Sequence, residues 1–198
     1  MIKKLAQKST YFYSSHGIID VTQHDSYIYS FELLFSTVFN FIGIAIVSWL
    51  AGNLLYGALF VPTFLTIRLS AGGYHAKRHI TCILGFNFIY VGFCMILVSL
   101  PISLCPSYIA AAALISLILI LLFSPVEAPN KPLQPYERKR QRKRSIALAS
   151  LIISIALIAS LFFSRLLPLI CWFISGLLCA SLLLLYAKLH NLTASMTS

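Results

Sequence analysis

Leu54-Leu55-Tyr56-Gly57-Ala58-Leu59-Phe60-Val61-Pro62-Thr63-Phe64-Leu65-Thr66-Ile67, followed at once by Arg68, decides how often this chain crosses a bilayer. The run is apolar but only fourteen residues long, short of the roughly 20 that span a hydrocarbon core, and Pro62 lies near its middle. A proline is tolerated inside a membrane helix, where it often produces a kink. Counted as a span, the run puts the basic cluster Arg68, Lys77 and Arg78 on the same side as a later and larger one. Discounted, it puts the two clusters on opposite faces. Short loops rich in Lys and Arg stay in the cytoplasm, so the run is counted.

Outward from this stretch, the 198-residue chain is 59% hydrophobic and only 10% charged, where soluble domains carry roughly 25% charged residues. It reads as an integral membrane protein. Apolar runs at 33–50, 82–101, 108–123, 146–163 and 167–187 supply five further spans. The expected fold is all-α, a polytopic helical bundle of about six transmembrane helices forming a single domain over 1–198, with N- and C-termini in the cytoplasm. That topology keeps fourteen of the fifteen Lys and Arg residues inside and leaves Arg165 outside.

The net charge of +10 is gathered in loops beside membrane helices and has no accompanying stacking platform, so nucleic acid is not an expected partner. The lipid bilayer and its anionic headgroups are. Residues 1–30 mix charges with Tyr11, Phe12, Tyr13, Tyr27 and Tyr29, which suits one or two helices lying in the interface. Met1 to Lys8 carries charge with no apolar core behind it, so no cleavable signal peptide is expected. Cys94, Cys171 and Cys179 fall within spans and Cys105 in a short outer turn; all four read as small buried hydrophobes rather than as a disulfide framework. Segment 124–145 is a Pro-rich, basic cytoplasmic loop: its four prolines enforce extended backbone, and the run Arg138 to Arg144 follows.

Chemistry concentrates in 68–82, a polar island of catalytic-loop character that leads into the third span. It holds a thiol (Cys82), two imidazoles (His75 and His79), three cations and the pair Gly72-Gly73. A thiol becomes a useful nucleophile when an imidazole takes its proton and nearby positive charge favours the thiolate. In one straight helix His75 and Cys82 would lie about 10 Å apart along the axis, whereas proton transfer needs about 3 Å or a bridging water. If they are partners, the backbone between them must bend, and the two glycines permit that. His79, three residues before Cys82, is the rival base on helical spacing. His75, His79 and Cys82 also have metal-ligand chemistry, but no fourth ligand is evident nearby, and no metal or cofactor is expected. The remaining alternative is a set of solvated interfacial residues.

The pattern Arg68-x3-Gly72-Gly73-x-His75-Ala76-x5-Cys82, together with Ser124-Pro125-Val126-Glu127-Ala128-Pro129-Asn130-Lys131-Pro132-Leu133 and its following basic run, resembles the accessory gene regulator B family of bacterial membrane cysteine endopeptidases. Span count, length and topology agree, so the likeness covers nearly the whole chain. The resemblance implies that Cys82 is the nucleophile and His75 the base. It also implies a short quorum-sensing propeptide as substrate, cut on the C-terminal side of its signal segment and closed into a thiolactone or lactone, at the cytoplasmic face of the bacterial plasma membrane. In that setting Arg68, Lys77 and Arg78 would favour the thiolate or hold substrate carboxylates, and Gly72 and Gly73 would let backbone amides reach an oxyanion. Glu32, an acid at the start of the first span, would orient His75 or pair with Arg68, since intramembrane acids usually have a partner. The competing class is a non-catalytic peptide exporter or sensor subunit. Whether the chain works alone or as a homodimer is left open.

Overall fold

A computed structural model describes residues 2–15, 24–71, 79–126 and 134–196. Among the described residues seven α-helices follow one another: α1 (Ile2–Ser15), α2 (His24–Leu50), α3 (Leu55–Ala71), α4 (His79–Val98), α5 (Cys105–Phe123), α6 (Pro135–Phe162) and α7 (Leu167–Met196), with 3₁₀ turns at Ile102–Leu104 and Ser164–Leu166. No strand occurs among the described residues. Four stretches among them are long and apolar enough to cross a membrane: Ser30–Leu50, Ile102–Phe123, Pro135–Phe162 and Ser164–His190. Leu55–Ala71 and Ile83–Val98 are apolar but shorter.

The helix ends follow from local chemistry. After α2 the backbone turns at Gly52, whose φ of +94° is a conformation that only glycine enters cheaply. Asn53 Oδ1 then accepts the Leu55 N–H at 2.9 Å, satisfying one of the unpaired donors at the start of α3. Pro135 opens α6 at its first position, and Gln134 and Glu137 form a reciprocal capping box, in which the Glu137 carboxylate accepts the Gln134 N–H at 3.2 Å. The basic run Arg138 to Arg144 therefore belongs to the first turns of α6. Of the segment read as a loop over 124–145, residues 135–145 are helical, and 127–133 lie outside the described residues.

The chain divides into two compact units. In the first, α1 packs on α2, with Ala6 and Thr10 of α1 fully buried and Tyr13 stacked on Phe31 at 5.6 Å. Lys3, Lys4 and Lys8 are exposed, as are Tyr11 and Phe12. The same unit joins α2 to the first part of α4 through polar pairs. Asn87 Nδ2 donates to Asn40 Oδ1 at 3.1 Å, and the buried Ser48 and Tyr90 hydroxyls pair at 2.6 Å. Asn40 thus joins the two helices by a hydrogen bond, as its place in an apolar span suggests. Both contacts advance toward the C-terminus along both helices, so α2 and α4 run in the same direction.

In the second unit α7 is the central helix, packed by α3, α5 and α6. Trp172, Ile174, Leu177 and Leu184 of α7 are buried, and Tyr56 of α3 stacks on Trp172 at 4.6 Å. Gly176 is where α7 meets α3 most closely: a Cβ there would collide with the Thr63 hydroxyl and with the α3 backbone at Phe60 and Phe64. Thr63 Oγ1 lies 2.9 Å from the Phe60 carbonyl of its own helix and 2.9 Å from the Phe173 carbonyl across the interface. Cys94, Cys105, Cys171 and Cys179 are all buried, in line with their reading as small apolar residues.

Gly176→Val should cost of order 1–3 kcal/mol through overpacking, read as a lowered melting temperature in detergent. Gly92→Ala, in α4, meets nothing within 4 Å and should leave the melting temperature unchanged or raise it, because alanine is the better helix former by roughly 1 kcal/mol. Equal effects of the two substitutions would contradict this account of the α3–α7 contact.

Candidate functional site

The polar island is not one continuous described helix. Arg68 closes α3, whose last residue is Ala71, and Cys82 stands in the first turn of α4, which begins at His79. Gly72, Gly73, His75, Lys77 and Arg78 fall in 72–78, outside the described residues. The roles read for them, and the alternative metal set of His75, His79 and Cys82, therefore rest on sequence. His79 and Cys82 have described backbone, three residues apart in α4.

Helix geometry supplies part of what a reactive thiol needs. The first N–H groups of a helix have no intrahelical partner and carry a partial positive charge. A cysteine in that first turn gains stabilisation of its thiolate, as at other helix N-termini. The parallel run of α2 and α4 fixes which part of α2 lies beside this turn. Asn87 of α4 lies against Asn40 and Gly43 of α2. Five residues earlier on each helix, Cys82 is level with the turn of α2 around Ser36. Glu32 follows one turn closer to the N-terminal end of α2, and its side chain is half-buried. It sits within the first turn of the candidate span Ser30–Leu50.

In the second unit, Arg68 is half-buried in the last turn of α3, where a cation is favoured by the helix dipole. It lies within electrostatic reach of Cys179 on α7. The basic run is not wholly available to a partner: Arg142 Nη2 donates to the Leu121 carbonyl at 3.2 Å, capping the C-terminal end of α5. Beside it Ser145 Oγ donates to the Arg142 carbonyl at 3.0 Å. Its oxygen lies 2.6 Å from Ser124 Oγ, so Ser124, with the free proton, is the donor of that pair.

Val126 donates its backbone N–H to the Ala71 carbonyl at 3.0 Å. Sequence reasoning read the Pro-rich stretch as extended and missed this docking onto α3. The one local hint was that Pro125 carries no N–H, which leaves Val126 as the first donor after α5.

A helical membrane protein with a cysteine in the first turn of one apolar helix, and the Ser124-Pro125-Val126 segment docked at the end of another, is the class these features define. The chain belongs to the accessory gene regulator B family, whose profile matches residues 4–185. It is 32% identical over 127 residues to protein FsrB of Enterococcus faecalis, covering 63% of this chain and 52% of that protein. It is 27% identical over 111 residues to accessory gene regulator protein B of Staphylococcus aureus, covering 56% of this chain and 58% of that one. The chain thus spans about half the length of the curated relatives it matches. No solved structure matches it.

Iodoacetamide at neutral pH should modify Cys82 ahead of the four buried cysteines. The expected mass spectrum after brief treatment in detergent shows one adduct, lost in Cys82→Ala. Adducts spread evenly over the five sites would remove the basis for a privileged thiol.

Proposed function

We propose that this chain is a membrane cysteine endopeptidase that trims a quorum-sensing propeptide and promotes its cyclisation. The observation that carries the reading is the family match, whose bounds, residues 4–185, include both motif segments, 68–82 and 124–133. The helix N-terminal position of Cys82 adds a physical reason for its thiol to be the reactive one.

His75 takes the Cys82 proton, and the thiolate attacks the scissile carbonyl to give a tetrahedral oxyanion. Backbone amides at Gly72 and Gly73 are the natural donors to that charge. As the oxyanion collapses, the C-terminal tail leaves as a free amine, protonated by the imidazolium, and the signal segment stays on Cys82 as a thioester. A Cys thiol or Ser hydroxyl within the peptide then attacks this thioester, closes the thiolactone or lactone and restores the Cys82 thiol. Exchange of one thioester for another is nearly balanced, whereas hydrolysis runs downhill, so a site that restricts water preserves the intermediate. Arg68, Lys77 and Arg78 hold the carboxylates of the tail, and Glu32 orients the base. Arg142, committed to α5, is set apart from the rest of the basic run.

In the membrane the chain crosses six times, with both termini and the 68–82 segment on the cytoplasmic side. The two shorter apolar helices count as spans: seventeen residues of α3 reach about 26 Å, close to the roughly 30 Å core. Support comes from the positive-inside distribution and from the shared direction of α2 and α4, which an intervening crossing by α3 requires.

Purified protein in liposomes with a synthetic propeptide tests the chemistry. Cys82→Ala and His75→Ala should each abolish cleavage, while His79→Ala retains most of it. Mass spectrometry should trap a wild-type adduct of peptide minus tail. Cleavage persisting in Cys82→Ala would end the cysteine mechanism, and activity lost to chelator and restored by zinc would replace it with a metal site.

A further inference from the structure

The two sides of α6 differ, and its contacts with α5 fix which is which. Arg142 donates to the Leu121 carbonyl of α5, and Ser145, fully buried, pairs with Ser124 at 2.6 Å. Ala149, Ile152, Ile153 and Ala156 continue that buried side. The rotation of the helix is thereby set, and the opposite side is turned outward.

At the start of α6 the outward side is cationic. Arg140, Lys143 and Arg144 are exposed and stand at i, i+3 and i+4, positions that share one face of a helix. Like charges at that spacing repel one another. Glu137 is the only acid among the described residues of this unit, and its carboxylate is turned back on the Gln134 N–H. An anion from outside the chain relieves the repulsion.

Farther along the helix the same face turns apolar. Leu151, Ile155 and Ile158 are exposed, and they follow Arg144 at successive intervals of seven, four and three residues, which keeps them in line with it. From Arg144 to Ile158 the stripe runs about 21 Å along the helix axis. Cations at the head of a straight apolar stripe match the polarity of a phospholipid, with its phosphate at one end and an acyl chain behind it. An acidic peptide would answer the cations and leave the stripe uncovered.

We infer that the outward face of α6 is a binding site for an anionic phospholipid, with its phosphate on Arg140, Lys143 and Arg144 and an acyl chain along Leu151, Ile155 and Ile158. Arginine suits this task because its planar guanidinium binds phosphate oxygens in pairs. Cations clustered beside a membrane helix favour anionic lipid by about fivefold each, and the attraction weakens as salt rises. The site is independent of the peptidase reading, because it uses neither Cys82 nor its proposed partners. Bound lipid holds the start of α6 at the level of the headgroups.

Full-length protein in detergent micelles, mixed with dioleoyl phosphatidylglycerol or dioleoyl phosphatidylcholine, tests the site by native mass spectrometry of the retained lipid. The parent should retain phosphatidylglycerol in preference by about tenfold or more, and the preference should fall as salt is raised from about 0.05 to about 0.5 M. Arg140→Gln/Lys143→Gln/Arg144→Gln should abolish the preference, whereas Arg142→Gln, on the side turned to α5, should keep it. Leu151→Ala/Ile155→Ala should weaken retention of both lipids alike. Neither glycerol phosphate nor a short acidic peptide should displace the lipid at equal concentration. A preference that survives in the folded triple variant, or that ignores salt in the parent, overturns the site. Displacement by the acidic peptide gives the face to a peptide instead, and displacement by glycerol phosphate leaves an anion site without a lipid. Should the triple variant not fold, Lys143→Gln alone and the salt dependence of the parent decide the matter by the same criteria.

Discussion

A hydrocarbon core offers no water to a stray N–H or C=O, and that constraint shapes the buried polar contacts between the described helices. Thr63 shows it most plainly. It follows Pro62, which breaks the hydrogen-bond ladder of α3, and its hydroxyl lies within reach of carbonyls on both α3 and α7. Gly176 must stay bare for that approach to occur. A short helix with a proline near its middle survives because α7 lies against it, not because its own sequence is strongly helical. Small residues that let backbones approach are the usual means of joining helices in lipid, where apolar contact alone gives no preference for a neighbouring helix over acyl chains.

The same constraint organises the first unit. Asn40 with Asn87 and Ser48 with Tyr90 each pair a polar group that would otherwise face lipid. Together they hold α4 parallel to α2 and set the height of Cys82 relative to Ser36 and Glu32.

Much of this was legible from residue order. The helical character, the burial of Cys94, Cys105, Cys171 and Cys179, and the linking role of Asn40 and Asn87 all follow from hydropathy and from the cost of unpaired polar groups. The motif segment 68–82 was legible as a candidate site because a thiol, imidazoles and cations stand within fifteen residues of a membrane chain. The helical state of Arg138 to Arg144 was less so. Like charges in a row favour a solvated loop, and the capping box at Gln134 and Glu137 that outweighs them was there to be read but was hidden among prolines.

Composition and pattern alone determined that the chain is a helical membrane protein and which residues are its candidate reactive groups, because hydropathy and nucleophile chemistry are properties of individual side chains. Only the tertiary structure decided that Val126 meets Ala71, that Arg142 caps α5, and that α2 and α4 lie side by side in the same direction. Each of these joins residues at least twenty positions apart, and a long-range hydrogen bond leaves no local signature. Its partners become partners when packing removes water from both.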